Sequence, residues 1–162
     1  MSIVLTRIDS RLIHGQVLEA WVPHIHANCI VVANDAVAAA GFQKSLMMAS
    51  VPKGIRVIIV SVAEAAALFA GPDLASLRVL LLFACSADAL EAHRLGVPFQ
   101  SLNLGNMHGG EGKVRCSCTI ALGAEDIANL TNLEIRGSRI VSQCVPSDRE
   151  QDWRRLVPVK GS

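Results

Sequence analysis

Four residues within eight positions, Arg7, Asp9, Arg11 and His14, are the part of this chain best suited to chemistry. They stand in the run Arg7-Ile8-Asp9-Ser10-Arg11-Leu12-Ile13-His14-Gly15-Gln16-Val17, which joins an apolar strand to an amphipathic helix. A helix N-terminus carries unpaired N–H donors and a partial positive charge, so it suits an anion such as phosphate. A neutral imidazole placed there has a lone pair for attack on phosphorus. Phosphoryl transfer asks mainly for positioning and charge neutralisation. Arg11 fits as a bidentate donor to the equatorial oxygens. Asp9 fits either as the group that orients Arg11 or as the one that fixes the imidazole tautomer. Gly15 leaves the backbone open to a phosphate, and Gln16 follows in the same turn. His14 is therefore expected to carry a phosphoryl group. The plainer alternative is a surface histidine at a helix start, with Arg11 in a solvated turn.

Short β-branched runs alternate with helical patterns along the chain. That alternation predicts an α/β fold, an open, mainly parallel sheet flanked by helices on both faces. Expected strands are Ser2–Thr6, Cys29–Ala33, Arg56–Ser61, Arg78–Ala84, Ser101–Leu104 and Ile140–Val145, with Val114–Ala121 read as strand or irregular. Expected helices are Gly15–Pro23, Ala38–Ser50, Val62–Phe69, Ala87–Leu95, Ala124–Gly137 and a short terminal Asp148–Leu156. Phe42, Leu46 and Met47 read as a buried stripe. Ser61 with Glu64 reads as a capping box, Ser86 as a cap, and Gly96 and Gly137 as helix stops. No linker, repeat or low-complexity segment interrupts the pattern, so residues 1–162 read as one domain.

Strand-to-helix turns of such a sheet open on one edge, where ligands bind. Arg11 and His14 follow the first strand, and Asn34 and Asp35 follow the second. Gly105, Met107 and His108 follow a later one. These three segments are expected around one cleft.

Composition narrows the class. Hydrophobic residues make up 51% and charged residues 18% of the 162, enough apolar surface for a large core and against disorder. A formal net charge of +1, 4% aromatics and no Tyr leave no basic, aromatic-interleaved surface for nucleic acid. The strongest apolar stretches, Val57–Val62 and Val79–Cys85, fall far short of the ~20 residues a spanning helix needs. The N-terminus lacks a signal-peptide pattern. Cys29, Cys85, Cys116, Cys118 and Cys144 are scattered, which fits reduced, buried thiols of a cytoplasmic protein. Cys116 and Cys118 stand two apart, but His24 and His26 lie on another element, so no metal site is expected. Gly105–Gly112 lacks the Gly-Lys-Ser/Thr ending of a nucleotide loop.

The segment Asp9 to Val17 closely resembles the active-site segment of the IIB components of the mannose/fructose/sorbose family of the bacterial sugar phosphotransferase system. Trp21-Val22, Ala27-Asn28 and Val31–Val37 resemble the family's next segment, and Asn103 to Lys113 its glycine-methionine loop. Leu122 to Leu130 and Val145-Pro146-Ser147-Asp148 resemble its C-terminal part, so the likeness runs along essentially the whole chain. Ser10, Asn34, Asn106 and Gly109-Gly110 depart from residues common in the family.

The resemblance implies that His14 accepts a phosphoryl group from a phosphorylated IIA domain. It implies transfer to a sugar imported by IIC and IID membrane partners. It implies that Arg11 stabilises the phosphoryl group, that Asp9 supports it, and that Asp35 and Gly105 line the cleft. No metal or organic cofactor is implied, since the phosphohistidine is itself the intermediate. The implied location is cytoplasmic, peripheral at the inner face of the membrane through IIC and IID. Self-association as a homodimer is left open. The runner-up function is a regulatory module that accepts phosphate as a signal and transports nothing.

Overall fold

The structure, a computed structural model, describes residues 2–157; Met1 and residues 158–162 of the expected domain lie outside them. Its strands are β1 (Ile3–Asp9), β2 (Cys29–Ala33), β3 (Arg56–Val60), β4 (Val79–Phe83) and β5 (Ser101–Asn106). They continue with β6 (Val114–Arg115), β7 (Ala121–Leu122), β8 (Arg139–Ser142) and β9 (Gln151–Asp152). The helices are α1 (Val22–Ile25), α2 (Asp35–Ala39), α3 (Gly41–Ser50), α4 (Val62–Ala70), α5 (Ser86–Arg94) and α6 (Ala124–Ile135). Seven strands form one sheet in the order β3-β2-β4-β1-β5-β8-β9. Its pairings are parallel except that of β8 with β9. The small β6–β7 hairpin is tied to the end of β5 by a bridge between Met107 and Ile120.

Alternation along β2 and β4 builds two apolar layers. Val31, Ala33, Leu81 and Phe83 pack with Ala65, Ala89, Leu90, Leu130 and Leu133 of α4, α5 and α6. Ile30, Val32, Leu80 and Leu82 pack with Leu12, Val17, Val22 and Val37 on the other side. Helices cover both faces, as expected for strands that are nearly continuous hydrophobic runs. Fully burying each such side chain is worth ~1.5–3 kcal/mol, and a one-residue slip would exchange the two faces. Burial therefore fixes the register.

Several expected boundaries move, each for a local reason. β1 runs past Thr6 to Asp9 because Arg7 and Asp9, both fully buried, satisfy each other and their neighbours inside the sheet. The first helix opens with a π-turn, Val17–Trp21, before α1. Pro23 has no N–H and its ring would clash with the carbonyl four residues back, so the wider turn closes from the Val22 N–H to the Val17 carbonyl instead. Ala38–Ser50 is not one helix. Asn34 caps α2 through the Val37 N–H at 2.9 Å, and the chain breaks at Ala40. Phe42 and Leu46 are 79% and 56% exposed, so the expected buried stripe is absent, and only Met47 packs against the core. α3 meets the core only through Met47, so most of its apolar spacing has no partner.

The capping box at Ser61 and Glu64 forms, with bonds of 3.1 Å in both directions. Ser86 is not a cap. It is the first residue of α5, and its hydroxyl bonds Asp126 at 2.7 Å. β8 stops at Ser142 rather than Val145 because the Gln143 and Cys144 carbonyls turn inward to Arg7. The expected Asp148–Leu156 helix is replaced by β9 and a single 3₁₀ turn, Trp153–Leu156, which Asp152 caps through the Arg154 N–H. Of the cysteines only Cys29 is fully buried, and Cys118 is exposed.

The chain leaves β1 toward β2 and leaves β5 toward β8, so adjacent strands send their connections to opposite sides. The crevice beyond the carboxyl ends of β1 and β5 is thus a topological switch point, the usual ligand position in an open α/β sheet.

Candidate functional site

A tight turn after β1 delivers His14 to that crevice. The Leu12 N–H bonds the Asp9 carbonyl at 2.9 Å, and Leu12 adopts a left-handed conformation with φ 56°. Such a conformation costs roughly 1–3 kcal/mol in a residue with a branched side chain and persists only when its surroundings over-determine it. Burial of Leu12 and Ile13 in the second apolar layer supplies that determination. His14 follows, and the Leu18 N–H bonds its carbonyl at 3.0 Å, so helical bonding begins at the histidine.

Asp9 is the hub. Its Oδ2 accepts from His14 Nε2 at 2.9 Å, from Asn106 Nδ2 at 3.0 Å and from Arg7 Nε at 3.4 Å. Its Oδ1 accepts from the Arg11 backbone N–H at 3.0 Å. Burial by itself would push the Asp9 carboxyl up. The hydrogen bonds from His14 and Asn106, with the charges of His14 and Arg7, outweigh it and hold the carboxyl below its ordinary range. An ionised carboxylate only accepts, so Nε2 must carry the proton in this contact. Nδ1 is buried and has no hydrogen-bond partner. In the neutral imidazole its lone pair is therefore uncommitted. The side chain is 8% exposed, so the ring sits just beneath the surface of the crevice.

Arg7 holds Asp9 from behind. Its guanidinium is fully buried, donates to the side chain of Asn103, and donates to the Gln143 and Cys144 carbonyls at 2.8 and 3.0 Å. Trp21 lies against it with 4.9 Å from guanidinium carbon to ring centroid, and the indole N–H also reaches the Cys144 carbonyl. Burial lowers the guanidinium pKa from its ordinary value, opposed by Asp9. With all these partners its donors are committed within the fold, as a structural cation.

The structure brings His14 and Asp9 together, with the carboxylate on the imidazole Nε2 and not on the Arg11 guanidinium. Arg11 is exposed at the turn, and Asp9 bonds its backbone rather than its guanidinium. Gly15 and Gln16 start the helical turn, and a methyl group on Gly15 would meet nothing within 4 Å. Gln16 Nε2 lies 3.5 Å from the Cys144 sulfur.

Asn34 and Asp35 are committed elsewhere. Asn34 caps α2 and donates to Asp88 at 2.7 Å, while Asp35 accepts from the Val62 N–H at 2.9 Å. Gly105 is buried against the Arg7 guanidinium rather than presenting backbone to the cleft. Met107 is a core residue and His108 is exposed. The residues that sequence reasoning missed are Asn106, Asn103, Trp21 and the Gln143–Cys144 carbonyls. Arg7 pairs with Asp9 because β1 runs on to Asp9, and residues two apart on a strand share a face.

One pH effect follows from Asp9. Its folded pKa is depressed, so its stabilising contribution is present above the unfolded value of ~3.9 and is lost as pH falls below it toward the folded pKa. Thermal melts from pH 7 down through this window will show a steeper acid loss for the wild type than for Asp9→Asn. The variant will start from a lower melting temperature at neutral pH. Parallel acid limbs would remove Asp9 from the set of groups that link stability to pH.

Comparison with known proteins agrees with this architecture. Residues 3–162 match the family model described as PTS system sorbose subfamily IIB component. The chain is similar to N-acetylgalactosamine-specific phosphotransferase enzyme IIB component 2 of Escherichia coli (strain K12), 36% identical, covering 96% of this chain and 99% of that protein. It is 34% identical to the PTS system mannose-specific EIIAB component of the same organism, covering 97% of this chain and 49% of that protein. Among solved structures it is similar to the IIBSor domain of the sorbose permease from Klebsiella pneumoniae, with TM-score 0.91, 32% identity and 96% of each chain covered.

Proposed function

The chain belongs to the PTS sorbose-subfamily IIB family, and from that premise we propose that His14 is its phosphoryl-accepting residue, attacking through Nδ1. A IIB component is a phosphocarrier, a protein-histidine sugar phosphotransferase that passes a phosphoryl group to an imported sugar. The single observation that carries the residue assignment is the division of labour on the imidazole. Asp9 holds Nε2 at 2.9 Å, and Nδ1 keeps its lone pair.

In the forward step His14 Nδ1 attacks the phosphorus of a phosphohistidine on the IIA donor. A new N–P bond forms, the donor's N–P bond breaks, and its electron pair returns to the donor imidazole. Asp9 stabilises the positive charge that develops on the His14 ring and so acts as a positioning residue. The exposed Arg11, its backbone N–H tethered to Asp9, has a long enough side chain to bring its guanidinium onto the equatorial oxygens. In the second step a sugar hydroxyl attacks the same phosphorus, the His14 N–P bond breaks, and the hydroxyl proton leaves to solvent. Because Nδ1 is covered, the ring or the turn before it must shift when the donor docks, with the Asp9–Nε2 bond as pivot.

IIB components work with IIA and IIC/IID partners, and a mannose-specific relative carries A and B in one chain. For this chain the donor is a phosphorylated IIA domain and the acceptor is a sugar held by IIC and IID. The family model spans residues 3–162, which supports reading the chain as one IIB domain. No helix among the described residues is long and apolar enough to cross a membrane. Work with IIC and IID partners would place the chain in the cytoplasm at the inner face of the membrane.

Incubation with a phosphorylated IIA domain tests the site. The expected product is an acid-labile, base-stable adduct whose phosphorus couples, by NMR on isotope-labelled protein, to His14 Nδ1. Coupling to Nε2 would overturn the tautomer argument. No adduct, with the IIA domain shown active on another acceptor, would overturn the assignment of His14.

A further inference from the structure

Asp9 Oδ2 has a second side-chain ligand whose placement depends on an irregularity of the sheet. Ile8 stands opposite Leu104 across the β1–β5 seam, but Asp9 stands opposite Asn106, so Gly105 is an extra residue in the ladder. Such a bulge re-aims the side chain that follows it, and bulges are enriched beside active sites. Here Gly105 accommodates the Arg7 guanidinium, and the next residue is rotated so that its carboxamide meets Asp9. The Asn106 backbone is held in place as well, since its carbonyl accepts the Ser10 N–H at 2.8 Å.

The chemistry of that contact is specific. Asn106 Nδ2 donates to Oδ2, the same oxygen that accepts from His14 Nε2, at 3.0 and 2.9 Å. A carboxylate can turn about its own axis and exchange its oxygens or swing off the imidazole. Arg7 Nε at 3.4 Å is too long to prevent this alone, and the Arg11 N–H pins only Oδ1. The Asn106 donor closes the second side of the carboxylate. An amide at this position supplies a donor with no charge of its own, so it fixes Asp9 without competing for the phosphoryl group.

We propose that Asn106 is a positioning residue for phosphoryl acceptance, holding Asp9 Oδ2 against His14 Nε2 and so presenting Nδ1 as the nucleophilic nitrogen. This rests on the assignment of His14 above. It adds a residue from β5, on the far side of the crevice, to the β1 turn that carries the histidine.

The test has one readout that needs no partner and one that does. Imidazole nitrogen chemical shifts of the isolated wild-type chain, taken where His14 is neutral, report the tautomer. The expected result is a dominant Nε2–H form, together with one strongly hydrogen-bonded, slowly exchanging Asn106 amide proton. Asn106→Ala removes the donor, and Asn106→Asp keeps the shape but sets a second acceptor against Asp9. In both, melts that remain cooperative will accompany a shift toward mixed tautomers, larger for Asp. With saturating phosphorylated IIA, the acceptance rate will fall roughly 10- to 100-fold at unchanged KM for the donor, the size expected for sub-ångström to ångström misplacement of a nucleophile.

A wild-type chain with the Nδ1–H tautomer, or without the protected Asn106 amide proton, overturns the proposal without any variant. So do folded variants that keep the wild-type tautomer and rate. A wild-type chain that shows the predicted tautomer yet takes no label would instead overturn the assignment of His14 and leave the Asn106–Asp9 contact standing.

Discussion

His14→Ala will not accept a phosphoryl group. Given saturating phosphorylated IIA, label on the variant will fall more than about 10³-fold below wild type, because the substitution removes the nucleophile itself rather than a group that assists it. Five histidines are present, His14, His24, His26, His93 and His108, and His14 is the one whose ring is bonded to a buried carboxylate. The variant will still fold. Asp9 keeps Arg7, Asn106 and the Arg11 N–H as partners, so the lost hydrogen bond costs ~1–3 kcal/mol against a total stability of roughly 5–15 kcal/mol. A cooperative melt with no label therefore isolates the chemistry from the fold. His24→Ala, an exposed histidine on α1, serves as the matched control and will label normally. Persistent label on His14→Ala would move the acceptor to another group and with it the whole reading of the crevice.

Gly105→Ala will be the most damaging conservative change in the β5 region. A methyl group built on Gly105 overlaps the Nη2, Cζ and Nε atoms of Arg7. A flexible side chain at a surface would move aside, but Arg7 is fully buried, bonded to Asn103 and two carbonyls, and flanked by Trp21. Either the β5 backbone shifts, at ~1–3 kcal/mol for overpacking, or the guanidinium is expelled. Expulsion leaves Asp9 without its buried counter-charge, which costs about 3–5 kcal/mol. The melting temperature will drop by roughly 2–20 °C, at 2–4 °C per kcal/mol for a chain of this size, with the upper part of that range for expulsion. Gly110→Ala, where a methyl would meet nothing within 4 Å, will leave the melt unchanged. Equal melts for the two variants would show that Arg7 is free to relocate and is not the cation that anchors Asp9.

Much of the architecture is legible in the sequence because burial writes it there in short range. The runs Cys29–Ala33 and Val79–Phe83 are apolar at every position, which only strands buried on both faces require, and both are fully buried. The Ser61–Glu64 pair and Gly96, with φ 96°, mark helix ends by chemistry confined to four or five residues. Periodicity misled at Phe42 and Leu46, since helical spacing of apolar residues shows that a face exists, not that anything packs on it. The 3₁₀ turn at Trp153 replaced an expected helix because pairing of β9 with β8 is a long-range event.

The same division runs through the site. The turn from Asp9 to Gln16 declares its chemistry by residue type and spacing, so the histidine, its carboxylate and the arginine beside them were determined by sequence alone. What each does was decided by contacts from distant segments. Asn34 and Asp35 read as cleft residues but spend their polar atoms capping helices. Gly105 is implied by the resemblance to line the cleft but makes room for Arg7. Asn106 reaches Asp9 only because the ladder carries one extra residue at Gly105, and Arg7 is held in place by hydrogen bonds to carbonyls more than a hundred residues away in sequence. The sequence alone determined the chemical type of the proposed nucleophile, an imidazole, because that is a property of one residue and its neighbours. Only the tertiary structure decided which ring nitrogen is available, because that depends on which side of the imidazole the fold brings a buried carboxylate to, and on what holds the carboxylate still.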